Sequence, residues 1–241
     1  MIQVINRAID IIEYVANDVE RPKLMGHIAD DLQLNTATCA NIIKTLSNRG
    51  LLKKASKEKG YLLGDKLSEI ANGTFGFKDL LAKAAPEMEK AEKILMENNL
   101  IAILNKNQRV VLQKKTSSQL IQATTPDEKN AYDSSTGRLL IAMLPDKELQ
   151  LYIKRYGLPA QNVWPDADNK TKFLAQVALI RAQGFALIED TVQIIGIATP
   201  IFRNEKVVAS FSIYMPSFRF NEAFKNTMIK TAIEVAQKIS E

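Results

Sequence analysis

The stretch "NTATCANIIKTLSNRGLLKKASKEKGYLLG", Asn35 to Gly64, limits what this chain can fold into more than any other. Asn35 is a good helix N-cap, because its side-chain oxygen can accept from the first unpaired amides. Gly50 is the residue expected just past a helix end. Between them, Cys39, Ile42, Ile43 and Leu46 mark an apolar face, and small or polar residues fill the other. Two strand-like runs, "LLKKA" and "KGYLLG", follow at once around "SKEK", predicting a short hairpin with cations at its tip.

Upstream, Val4, Ile5, Ala8, Ile11, Ile12 and Val15 lie on one face of a helix from about Gln3 to Ala16. Acidic and basic residues within it make an amphipathic helix and not a signal peptide the expectation. A second helix is expected over Lys23 to Leu32. Joined by "QLN" to the helix after Asn35, it forms a helix-turn-helix whose second member would enter a major groove. With the hairpin, the order is that of a winged helix-turn-helix. The alternative is a three-helix core carrying a solvated lysine-rich loop.

Charge supports the first reading. The net charge is +5 with a pI near 9.1. From Lys44 to Lys66, seven Lys and Arg face two acids, a local balance of +5 that equals the whole chain's. The basicity is local, as expected of a surface for nucleic acid.

The chain's 241 residues, 46% hydrophobic and 24% charged, suffice for one large or two ordinary globular domains. No apolar run approaches the roughly 18 residues of a membrane span. A single cysteine excludes an internal disulfide and fits a reducing cytoplasm. Asp65 to Ala71 reads as a short helix, and "NGTFGF" as a joint. A longer helix is expected from Asp79 to about Glu97, kinked or broken at Pro86. "LIAILN", "RVVLQKK", "LIQATT", "FALIE", "IIGIATPIF" and "VVASFSIYM" then read as strands. They are interleaved with helices at Ser135 to Met143, Asp146 to Tyr156 and Asn169 to Gln183, and closed by one from Asn221 to Ile239. A mostly antiparallel sheet with flanking helices makes the second half an α+β domain.

Catalytic signals are weak. His27 is the only histidine and falls in the first half, so no Ser-His-Asp triad can form in the second. Cys39 shares the spacing of Ile42 and Leu46 and is expected in a core. "STGR" lacks the glycine spacing and the Lys-Ser/Thr of a phosphate loop, although a helix opening there could hold an anion on its free amides. No metal or cofactor is expected.

"INRAIDIIEYV", "HIADDLQLNTATCANIIKTLSNRGLL" and "GYLLGDKL" resemble the DNA-binding half of the IclR family of bacterial transcriptional regulators. "SSTGRLLIAMLP", "IRAQGFALIED" and "GIATPIFRNEKVVASFSIYMPSFR" are similar, in the same order, to its effector-binding half. The resemblance implies a winged helix-turn-helix over 1–64, a linker over 65–78, and an effector-binding and oligomerisation domain over 79–241 of GAF- or profilin-like fold.

It further implies a cytoplasmic homodimer or homotetramer that binds a double-stranded DNA operator and answers to a small carboxylate or aromatic effector. Thr36, Ala37, Thr38, Ala40, Asn41 and Lys44 would face DNA from the recognition helix, and Lys53, Lys54, Lys57 and Lys59 from the wing. Ser135 and Thr136 would meet the effector's anionic end. Ile194, Gly196, Ser212 and Tyr214 would lie beneath, with Glu189 or Asp190 near the rim. Relatives commonly carry a basic residue where this chain has Asn41; Asn pairs with adenine where Arg would read guanine. The reading from another class is a small-molecule-binding protein or enzyme with a degenerate DNA-binding head.

Overall fold

The structure is a computed structural model that describes residues 2–56, 59–71 and 75–240. It divides into two compact units, residues 1–75 and 76–241.

The first unit contains α1 (Gln3–Ala16), α2 (Met25–Asp31), α3 (Thr36–Asn48), the hairpin strands β1 (Leu52–Lys54) and β2 (Tyr61–Leu63), and α4 (Asp65–Ala71). Asn35 caps α3, its side chain accepting from the Ala37 amide at 2.9 Å. Gly50 ends the turn after α3 at φ +72°, a left-handed value that favours glycine. The three helices close on Ile11, Val15, Ile28, Ala29, Cys39, Ile42, Ile43 and Leu46, with Leu52 added from β1. Each fully buried isoleucine there contributes about 1.5–3 kcal/mol.

The second helix begins two residues later than the apolar spacing suggests. Lys23 is drawn into an isolated bridge with Tyr61, their amides and carbonyls exchanging 2.9 Å hydrogen bonds, so α2 starts only at Met25. Gly64 lets the hairpin's end pass close to Gly50, since a Cβ on Gly64 would lie 2.1 Å from the Gly50 carbonyl oxygen.

The second unit is built on a six-stranded antiparallel sheet, β5-β4-β3-β8-β7-β6. Its strands are β3 (Asn98–Asn105), β4 (Gln108–Lys115), β5 (Glu128–Asn130), β6 (Ala186–Glu189), β7 (Ile194–Arg203) and β8 (Lys206–Pro216). Two hairpins, β3-β4 and β7-β8, lie side by side through the β3-β8 ladder, in which Leu100 pairs with Ser212.

One face packs α5 (Lys78–Leu95) and α9 (Glu222–Ile239) through Leu80, Met88, Ile101, Phe211, Ile213, Met228 and Ala232. The other side holds α6 (Ser135–Ala142), α7 (Asp146–Tyr156) and α8 (Lys170–Gln183), cored by Tyr132, Leu139, Trp164 and Phe173. This is an α+β architecture. Pro86 sits inside α5, which continues through it as one helix.

One expected strand is absent. "LIQATT", residues 120–125, is irregular, with Leu120 fully exposed, and the edge strand is Glu128–Asn130. Side-chain amides occupy the backbone groups that a ladder would use. Asn98 Nδ2 donates to the Ala123 carbonyl at 2.6 Å, and Gln122 Nε2 to those of Ser117 and Gln119 at 2.7 Å.

Candidate functional site

On α3, Cys39, Ile42, Ile43 and Leu46 turn inward and leave Thr36, Ala37, Asn41 and Lys44 exposed, with Thr38 and Ala40 half-buried beside them. Burial pushes the Cys39 thiol pKa up, which suits a core residue and not a reactive one. Lys53, Lys54 and Lys59 are exposed on or beside the hairpin, and Lys57 lies outside the described residues. Lys53 Nζ donates to Asp65 Oδ1 at 2.7 Å, so that cation already has a surface partner. His27 is exposed on α2.

In the second unit, a cavity of about 30 Å³ lies between the opening turn of α6 and the sheet. Ser134, and not Ser135, caps α6, its Oγ accepting from the Gly137 amide at 3.0 Å. That frees Ser135 to lie over β7, where a Cβ on Gly196 would approach its Oγ to 2.7 Å. Gly137 seats α6 against the 3-10 turn Ala131–Asp133; a Cβ there would lie 2.0 Å from the Ala131 carbonyl oxygen.

Ser135, Thr136, Asp190, Ile194, Gly196, Ser212 and Tyr214 all line this cavity. Glu189 does not. It is exposed at the end of β6 and borders a neighbouring depression with Arg138 and Trp164.

Asp190 lines the wall but its carboxylate is engaged. One oxygen accepts from the Val192 and Ile194 amides at 3.0 and 2.9 Å, and the other pairs with Lys129 Nζ at 2.7 Å. Lys129 also reaches Asp133 at 3.0 Å, which in turn accepts from the Thr191 hydroxyl at 3.0 Å. The net effect is to pin the β6-β7 turn to β5 and to the end of the 3-10 turn Ala131–Asp133, and not to offer a free charge.

Sequence reasoning missed Arg109, Lys129, Thr125, Leu100, Ser134 and Ile188, all of which line the cavity. Arg109 is 1% exposed. Its Nη1 donates to the Pro126 carbonyl at 2.9 Å and its Nη2 to the Thr125 hydroxyl at 2.7 Å. Burial lowers its pKa, countered by nearby Tyr214, Asp127 and Asp190. The Tyr214 phenol is raised, chiefly by the same burial. The available signal was alternation along β4. Arg109 shares a face with Val111, which packs with Leu100, Ala102 and Tyr214, so a cation stands in an inward apolar row.

Residues 74–241 match the family model of the bacterial transcriptional regulator IclR C-terminal domain. The chain belongs to the IclR family. Solved IclR-family structures share the fold across both units. The IclR transcriptional regulator of Alicyclobacillus acidocaldarius superposes with a TM-score of 0.62 at 16% identity, covering 100% of this chain and 98% of that one. The Thermotoga maritima IclR gives 0.57 at 20% identity with both chains fully covered, 100% each. An IclR homologue from Microbacterium hydrocarbonoxydans, complexed with 4-hydroxybenzoate, gives 0.59 at 21% identity over 98% of each chain. Among curated proteins no significant match to the chain is found.

Proposed function

We propose that this IclR-family chain is a ligand-responsive transcriptional regulator, with a winged helix-turn-helix over 1–64, a linker over 65–78 and a GAF- or profilin-like effector domain over 79–241. One observation carries the reading. A capped helix presents Thr36, Ala37, Asn41 and Lys44 to solvent beside a lysine-bearing hairpin, in a chain whose second unit matches a regulator family.

In this reading α3 enters the major groove. Thr36 and Lys44 hold phosphates, Thr38 reaches a base or phosphate, and Ala37 and Ala40 leave room for thymine methyls. Asn41 reads adenine. The lysines of the wing, Lys53, Lys54, Lys57 and Lys59, meet the backbone and carry no sequence information.

One helix reads only a few base pairs, so a homodimer or homotetramer is required for useful specificity. The amphipathic α1, whose N-terminal end leaves Ile2, Val4, Ile5 and Ile9 exposed, is suited together with the linker helix to the head-to-head contact. A small, anionic effector in the cavity beside Ser135 and Thr136 shifts the population between spacings of the two DNA-reading heads, and the operator of a catabolic or transport operon selects between them.

Among the described residues no helix is long and apolar enough to cross a membrane, in keeping with action on DNA in the cytoplasm. The test is a mobility shift with the protein's own upstream region, with and without candidate effectors. A specific shift that an effector alters is expected. Equal affinity for that region and for unrelated DNA at matched salt would overturn the reading.

A further inference from the structure

Arg109 stands in the cavity wall with no anion hydrogen-bonded to its guanidinium. Its two hydrogen-bond acceptors, the Pro126 carbonyl and the Thr125 hydroxyl, are neutral, and Nε is buried without a partner. The nearby carboxylates are committed elsewhere, Asp190 to Lys129 at 2.7 Å and Asp127 to Lys114 at 2.7 Å. A buried charge lacking a hydrogen-bonded counter-ion is costly, and an anion delivered by a ligand removes that cost. Across the cavity, Ser135 and Thr136 stand in the first turn of α6, where backbone amides have no intrahelical acceptors. A guanidinium and a helix N-terminus thus converge on one small space, and both favour negative charge.

The space sets the size. The cavity leaves about 30 Å³ open to water-sized spheres, which at roughly 10–15 Å³ each is room for two or three waters, whose share of the bulk liquid is roughly 60–90 Å³. That is room for about four non-hydrogen atoms, fewer than an aromatic ring bearing a carboxylate carries. We propose that Arg109 is the residue that selects an anion in this cavity, and that the ligand is an acyclic carboxylate of about the size of acetate. This rests on the reading of the cavity as the effector site and adds its charge and size limits. In the complex, the guanidinium takes one carboxylate oxygen through the donors it does not spend on Thr125 and Pro126. The α6 amides face the other oxygen.

Calorimetric titration of the full chain tests this with acetate, with its neutral isostere acetamide, and with 4-hydroxybenzoate, all at constant ionic strength in chloride. Acetate should bind, and the other two should not. Arg109→Gln should weaken acetate at least about tenfold, the loss of a hydrogen bond to a charged group, while Arg109→Lys keeps part of the affinity. The acetate–acetamide pair decides the matter on the unmodified chain should either variant fail to fold. No detectable acetate binding, equal binding of acetamide, acetate affinity unchanged in Arg109→Gln, or tighter binding of 4-hydroxybenzoate would each overturn the proposal. Operator mobility shifts separate it from the regulator reading. Acetate bound through Arg109 with no change in the DNA complex sinks the effector role and leaves the anion site standing. A DNA complex altered by 4-hydroxybenzoate does the reverse.

Discussion

The first unit buries Ile11, Ile28, Ile43, Leu46 and Leu52 and turns Thr36, Asn41, Lys44 and Lys54 to solvent. The second buries Arg109, Arg138, Glu97, Asn98, Asn99, Ser135, Thr136 and Ser212. Among the described residues, every buried polar or charged one lies between Glu92 and Thr231, in the second unit. A surface that meets a large, charged polymer can keep its polar groups wet until contact, and its core needs only apolar packing. A cavity that encloses a small ligand must hold its polar groups inside beforehand, each satisfied or waiting. In the second unit Arg109, Ser135, Thr136 and Ser212 are buried at the cavity wall, and hydrogen-bonded polar groups are buried away from it as well. Arg138 donates to the Tyr132 and Val163 carbonyls at 2.7 Å and lies over the Trp164 ring, and Glu97 holds Arg219 through two bonds of 2.7 and 2.8 Å.

If the two units are separable in this way, two glycine substitutions should disable them one at a time. Gly64→Ala drives a methyl into the Gly50 carbonyl, and Gly137→Ala drives one into the Ala131 backbone; neither obstacle is a flexible side chain. Each should cost about 3 kcal/mol or more. Gly64→Ala should abolish DNA binding and spare carboxylate binding, and Gly137→Ala should lose carboxylate binding. Trp164, the chain's one tryptophan, makes fluorescence a probe of the second unit's unfolding. Loss of both functions in the Gly64 variant would show that the units do not fold independently.

Alkaline titration sharpens the contrast by a smaller amount. Tyr132 is buried, donates its hydroxyl to the Gly157 carbonyl at 2.7 Å, and has its pKa pushed up to about 12 by burial. An unfolded tyrosine ionises near 10. The folded unit therefore favours the neutral phenol. That stabilisation is fully present below pH about 10 and is lost as pH rises to about 12. The gap corresponds to about 2–3 kcal/mol. In the first unit Tyr14 is only half-buried, and its pKa is raised mainly by its hydrogen bond to Asp31. Denaturant melts followed by Trp164 fluorescence should therefore soften in this window, with the helical signal of the first unit changing less. A Trp164 transition that is flat with pH up to about 12 would remove buried tyrosine from the account.

How much of this was legible in the sequence follows the same division. The Asn35 cap, the run of α3 and the turn at Gly50 are local devices, decided within a few residues. So are the Asn169 and Asn221 caps of α8 and α9. The β7-β8 hairpin was readable because two long apolar runs flank "RNEK". Leu120 to Thr125 has the apolar content of a strand, but Asn98 and Gln122, side chains outside local strand logic, take its neighbouring backbone groups. Ser134 and Ser135 are equally able to cap, and only the packing of Gly137 on Ala131 decides between them. Arg109 sits in a strand that also bears Lys114 and Lys115, and pairing register, not composition, sends it inward.

The exposed face of α3, proposed to face DNA, carries the next prediction. Asn41→Ala should cost roughly 1–3 kcal/mol at an A·T-rich operator and relax preference at one base position, with non-specific affinity nearly unchanged. Asn41→Arg should move that position toward guanine. Because Asn41 is exposed, the substitution should leave thermal stability within about 0.5 kcal/mol. Selection from random DNA checks it, and a G·C-rich consensus would show that a different face of α3 reads the groove.

The smallest effect belongs to the hairpin lysines, where stability should not move at all and only salt dependence reports. Lys54 and Lys59 are exposed, so each can neutralise one phosphate and release its condensed counterion. Lys54→Ala and Lys59→Ala should each reduce the slope of log affinity against log salt by about 0.9, on every DNA sequence alike. Lys53 begins from a different state. Its ion pair with Asp65 must open before it can reach a phosphate, so Lys53→Ala should lower the slope less than either. Exposed pairs of this kind are worth about 0–1 kcal/mol, so folding should be indifferent to its loss. Asp65→Ala then becomes the informative partner, because freeing Lys53 should steepen the slope if the hairpin lies against the backbone. Slopes that stay constant across all four variants would make the hairpin a solvated loop and leave α3 alone as the nucleic-acid surface.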